Sequence, residues 1–157
     1  MRNGKIRKVW IERAIDEDPD TSHLGTYANQ PTSPVAIDRE ANGDICRGQY
    51  RYFNPAMTGE ETGNPDSPEQ DYQRMESLNR GEWSYVGIIA KAEIQTDRNS
   101  PIQVIRSGGL WGVESDSDRT YFDQVRQDEL SQLFAELSRI GFSDAQIHKA
   151  YENIDED

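Results

Sequence analysis

Apolar and polar positions alternate most regularly over residues 83–95 (WSYVGIIAKAEIQ). Ser84, Val86, Ile88, Ala90, Ala92 and Ile94 share one face, while the other turns polar at Lys91, Glu93 and Gln95. A period of two sustained this long predicts a strand. The polar stretch 96–101 leads into a second run, 102–107, which predicts an antiparallel pair. Gly108 and Gly109 break that ladder ahead of a short strand at 110–113. Near the start, residues 5–13 read as a strand with Val9 and Ile11 facing one way and Lys8, Trp10 and Glu12 the other. It ends where Asp16, Glu17, Asp18 and Asp20 crowd around Pro19. Residues 21–25 read as one helical turn, 26–34 as loop, and 35–46 as a hairpin or turn around Asn42-Gly43. Residues 48–53 form an aromatic strand, and 54–66 an exposed, mobile loop.

The period then shifts to that of a helix. Ser67 as N-cap, Pro68 at the first position and Gln70 at the third predict a helix to Arg80, stopped by Gly81. Tyr72, Met75 and Leu78 are its buried stripe. A longer helix starts within 116–119 and ends at Ile140, with Gly141 as terminator. Phe122, Val125, Leu130, Leu133, Leu137 and Ile140 recur along it at helical spacing, flanked by Tyr121 and Phe134. Ser143 and Gln146 open a last short helix, whose apolar face is Ile147, Ala150, Tyr151 and Ile154; residues 155–157 fray. The layout predicts an α+β fold: one antiparallel sheet of about 4–6 strands with the long C-terminal helix and shorter helices on one face. Residues 1–157 are expected to form a single domain, with exposed loops near 16–34 and 54–66. Trp111, between Gly109 and Gly112, is expected to pack against the sheet or the long helix, to be buried there and to fix where that helix begins. Truncating it would then cost ~3–5 kcal/mol. The alternative is an exposed hot spot for a partner.

Charge narrows the function classes. The net charge is -12, with a mean hydropathy of -0.91. Arg2, Lys5, Arg7, Lys8 and Arg13 outweigh Glu12 in the first thirteen residues, so the remainder is more acidic still. Such a field repels nucleic acid and anionic membranes and favours basic partners. No apolar run is long enough for a membrane span, and no signal peptide is evident. The one cysteine, Cys46, cannot form an internal disulfide and fits a reducing, cytoplasmic setting.

Candidate chemistry is sparse. On an extended chain the carboxylates of Glu114, Asp116 and Asp118 would lie about 7 Å apart on one face, within reach of one divalent cation. An EF-hand loop is excluded, because the glycine at its sixth position and the glutamate at its twelfth are missing. Ser115-x-x-Asp118 also fits a helix-capping pattern, the weightier reading. Asp16, Glu17, Asp18 and Asp20 form a second acidic cluster. The histidines are His23 and His148; His148 reads as a surface residue, and nothing around Cys46 marks a nucleophile paired with His23.

Taken together, DPDTSHLG (18–25), YRYFNP (50–55), NRGEWSYVGIIAKAEI (79–94) and SGGLWGVESDSD (107–118) resemble a group of small acidic proteins encoded by bacteriophages, plasmids and other mobile elements. The resemblance implies a host-cell setting and supplies no catalytic residues. The expectation for function is a non-enzymatic acidic protein without cofactor that engages a basic host protein. The nominated partner-binding residues are Asp16, Glu17, Asp18, Asp20, Glu114, Asp116 and Asp118. A DNA-mimic inhibitor of a restriction or CRISPR-type defence is the sharper form, by analogy alone. Self-association into a homo-oligomer is also compatible with the sequence. The alternative is a divalent-metal-dependent hydrolase or nuclease built on Glu114, Asp116 and Asp118.

Overall fold

In a computed structural model, residues 3–44 and 49–155 are described. The fold is α+β, with antiparallel sheets of four and three strands. The chain gathers into two compact units. Unit 1 joins residues 1–17 to 84–157, and unit 2 is the inserted segment 18–83.

Unit 1 is built on β5 (Tyr85–Gln95), which takes β1 (Lys5–Ile15) along one edge. Along the other edge β6 (Gln103–Arg106) and β7 (Leu110–Glu114) lie in series, β6 opposite Lys91–Ile94 and β7 opposite Tyr85–Ile88. The Gly108-Gly109 corner, with Gly109 at φ +81°, separates them as the sequence suggests. α3 (Arg119–Arg139) and α4 (Asp144–Glu152) supply the helical layer. Leu130, Leu133, Leu137 and Phe142 pack with Val9, Ala90, Ala92 and Ile94, and Val125 packs with Val86, Ile88 and Val113. The face of β5 expected to be apolar is therefore the one under α3. Burial is broader than simple alternation, since every residue from Tyr85 to Ala90 is buried. Tyr121, placed in the helix stripe by spacing, is exposed. Ser143 and Gln146 form the expected capping box of α4.

Unit 2 is a small sheet against one helix. β4 (Tyr52–Pro55) is central, flanked by β2 (Gly25–Ala28) and β3 (Ile37–Asp38). α1 (Gly59–Thr62) is short, and α2 (Ser67–Asn79) packs on β4 with the Tyr72 ring against that of Phe53; Met75 of α2 is buried as well. Three local readings are corrected here. Residues 25–28 are strand rather than loop. Residues 59–62 are helical, because Thr58 and Glu61 form a capping box that Gly63 closes at φ +73°. Ser67 lies inside α2, its hydroxyl 2.7 Å from that of Thr62, and Asp66 stands at the N-cap. The expected turn around Asn42-Gly43 is present, and residues 21–25 make a single turn in which the Leu24 and Gly25 N–H groups both donate to the Thr21 carbonyl. Residues 45–48, Cys46 among them, lie outside the described residues.

Candidate functional site

The nominated acids are divided between the two units. Asp16 and Glu17 belong to unit 1, Asp18 and Asp20 to unit 2. Asp16 follows the end of β1, where its N–H donates to the Tyr85 carbonyl at 3.0 Å. Its carboxylate accepts from the Gly112 N–H at 3.1 Å. Tyr85 in turn pairs with Glu114, so Asp16, Tyr85 and Glu114 share one row across the end of the sheet. One acid from each run is thus brought near the other, with Tyr85 between them. Asp20 accepts from the Ser22 N–H at 2.9 Å, and hydrogen bonds from Ser22 hold its pKa below the usual carboxylate value. Glu17 and Asp18 are exposed.

The second run departs from the extended geometry that a shared cation would need. The chain turns after β7, the Ser117 N–H reaching the Glu114 carbonyl at 3.0 Å. Asp118 is the N-cap of α3 and accepts from the Tyr121 N–H at 2.8 Å. Capping is therefore the role observed, performed by Asp118 rather than Ser115, whose hydroxyl accepts from the Ser84 N–H at 2.9 Å. Asp116 is exposed in the turn. Among the described residues no three His, Cys, Asp or Glu side chains gather where they could hold a metal ion. His148 is exposed on α4, 3.2 Å from Glu152.

The densest polar constellation is one that sequence reasoning missed. In unit 2, Arg39 is buried, and its guanidinium binds the Glu76 carboxylate at 3.1 Å. It also donates to the Tyr72 hydroxyl at 3.3 Å, the Tyr50 carbonyl at 2.7 Å and the Gln49 side chain at 2.8 Å. Four of the five N–H donors of an arginine are so engaged. Its cationic carbon sits 4.8 Å from the Tyr27 ring centre. Tyr27 donates to Glu76 at 2.8 Å and Tyr72 donates to Asp44 at 2.9 Å. Burial, then the hydrogen bond to Glu76, pushes the Tyr27 hydroxyl well above its ordinary pKa. Burial raises Tyr72 to about 12, with Asp44 adding to the shift. Burial alone would lower Arg39; the Tyr72 hydrogen bond and the Glu76 charge more than offset it. With both tyrosine hydroxyls donating to carboxylates and four guanidinium N–H groups engaged, the network cross-links the residue after β3 to α2. The signal for it was slight: Tyr72, Glu76 and Asn79 recur on one face of α2, but Arg39 looked like a turn residue between two acids.

Trp111 corrects a further expectation. It does pack on the sheet, lying over Gly87, where an added Cβ would come within 2.4 Å of the indole. It is not buried, being 46% exposed. The start of α3 is fixed by Asp118 instead. Gly87 is what lets the ring lie flat, because a side chain there would occupy its place. The corner before it is held by Glu129, a buried carboxylate on α3 that accepts from the Gly109 N–H at 3.0 Å.

Among the described residues no helix is long and apolar enough to cross a membrane. Comparison with known proteins gives no matching family model, no significantly similar curated sequence and no significantly similar solved structure.

Proposed function

We propose that this chain is a non-enzymatic acidic binding protein whose partner is a basic protein. The observation that carries the reading is the surface of α1 and α2. Residues 52–73 include Glu60, Glu61, Asp66, Glu69 and Asp71 and contain no Lys or Arg. The first four are exposed, and Asp71 is partly covered, burial raising its pKa. Without countercharge in that stretch, their field reaches a partner before contact and steers its approach. Residues 18–83 as a whole carry twelve Asp and Glu against five Lys and Arg.

The seven nominated acids stay in the proposal as further contacts, although Asp16, Asp20 and Asp118 also accept from local backbone N–H groups. The finer form of the proposal is a mobile-element product acting in the host cytoplasm. There it would occupy the DNA-binding groove of a restriction or CRISPR-type defence protein. A pull-down from bacterial lysate tests both levels. A basic protein should be recovered at low salt, released as salt rises, and lost with Glu60→Lys/Glu69→Lys. Duplex DNA should compete if the mimicry holds. Recovery of nothing at low salt would end the proposal, and a partner that ignores DNA would end its finer form.

A further inference from the structure

Beyond that acidic surface, we propose that unit 1 carries a second docking site of opposite sign, for an extended acidic peptide. It is the groove of about 510 Å³ between the first half of β1 and α4. Lys5, Arg7, Lys8 and Lys149 line it together with Gln146 and Asn153, and no Asp or Glu is among the residues that do. In a chain of net charge -12 this is a local reversal of field.

The chain itself displays the mode of recognition. β1 is an edge strand, and just beyond the groove Asp155 forms a parallel bridge with it at Trp10. The Asp155 N–H donates to the outward-turned Val9 carbonyl at 2.9 Å, and its carboxylate lies 3.4 Å from the Lys8 ammonium. An acidic residue on an extended segment thus pairs its backbone with the β1 edge and its side chain with a lysine. Lys5 to Lys8 spans ~10 Å at strand spacing, a file suited to several carboxylates on one extended chain. The bulge between Ile6 and Lys8 breaks simple alternation there. The competing account is that lysines on an edge strand merely deter edge-to-edge pairing.

Fluorescence anisotropy of a labelled hexaglutamate peptide with the intact chain decides between them. Saturable binding is expected, with none for hexaglutamine. Lys5→Glu/Lys149→Glu should weaken it at least ~10-fold, since each exposed pair turns from attraction to repulsion. These side chains lie outside the core, and unchanged thermal melts verify the fold; if the reversals unfold the chain, Lys5→Gln/Lys149→Gln repeats the test. Glu60→Lys/Glu69→Lys should leave peptide binding intact, which separates this site from the acidic one. Absent binding, or binding indifferent to the lysines, overturns the proposal, as does aggregation of the variants with peptide affinity unchanged. Displacement by millimolar inorganic phosphate, beyond chloride of equal ionic strength, would show a single-anion pocket instead. A chain lacking Glu156 and Asp157 that binds at least ~10-fold tighter would make its own tail the occupant. A dimer abolished by the same substitutions would make the occupant a second copy.

Discussion

Trp111→Ala tests how the face of β5 that carries Gly87 is covered. About half of the indole is covered, chiefly by Gly87 and by the corner at Gly109 beside Ile89. Aromatic side chains bury 150–250 Å² when fully enclosed, so roughly 120 Å² is removed from water here. At about 25 cal/mol per Å² that is ~3 kcal/mol, and a compact unfolded state brings it nearer 2. A cavity contribution is absent, because the vacated space opens to solvent. The expected loss is therefore ~2 kcal/mol, below the ~3–5 kcal/mol of a core tryptophan. Urea unfolding measures it. The companion Gly87→Ala should displace the ring and erase its near-ultraviolet circular dichroism. In the Trp111→Ala background the same methyl meets empty space, so the two losses should be strongly non-additive. A loss above ~4 kcal/mol would mean the indole is core, and one below ~0.5, or strict additivity, would mean it does not rest on Gly87.

Arg39→Met leaves Glu76 without its cation in unit 2, and calorimetry should show ~3–5 kcal/mol of destabilisation; Arg39→Met/Glu76→Leu should recover part of it. Tyr27 and Tyr72 hold their protons more tightly when folded, so the unfolded chain releases them first. Their contribution is present below pH ~10 and lost as pH rises, for Tyr72 until about 12, so melts should fall across that window and Tyr72→Phe should flatten the fall. Gly25 sits at φ +147° with Asn54 O 2.5 Å from a would-be Cβ, so Gly25→Ala should cost at least ~2 kcal/mol by urea unfolding.

Long periodic segments were legible in the sequence and short or long-range ones were not. β5 and α3 announce themselves because each repeats its pattern over many residues, and the Ser143–Gln146 cap is a local hydrogen-bond rule. β2 has four residues and no alternation to display. α1 did carry a signal, Thr58-x-x-Glu61 ahead of Gly63, which the surrounding prolines and glycines obscured. The return of β7 to the edge already used by β6 depends on a corner held from α3, a contact between distant residues. The Arg39 network draws on positions from Tyr27 to Asn79, so no window of sequence contains it. The acidic runs were visible, but not the backbone N–H groups that Asp16, Asp20 and Asp118 accept from.

The pairing of β1 with β5 has a consequence for the order of folding. Ile15 faces Val86 across that ladder, and the whole of residues 18–83 lies between them. During synthesis β1 leaves the ribosome long before the strand it pairs with. Closing so long a loop from a disordered chain costs ~2.5 kcal/mol more than a four-residue hairpin, at ~0.6 kcal/mol per doubling of length. If the inserted unit folds while β5 is still being made, its own compaction shortens that loop. The insertion then serves as a tether that delivers β1 to its partner, and variants that unfold unit 2, Arg39→Met among them, should slow the refolding of unit 1 as well.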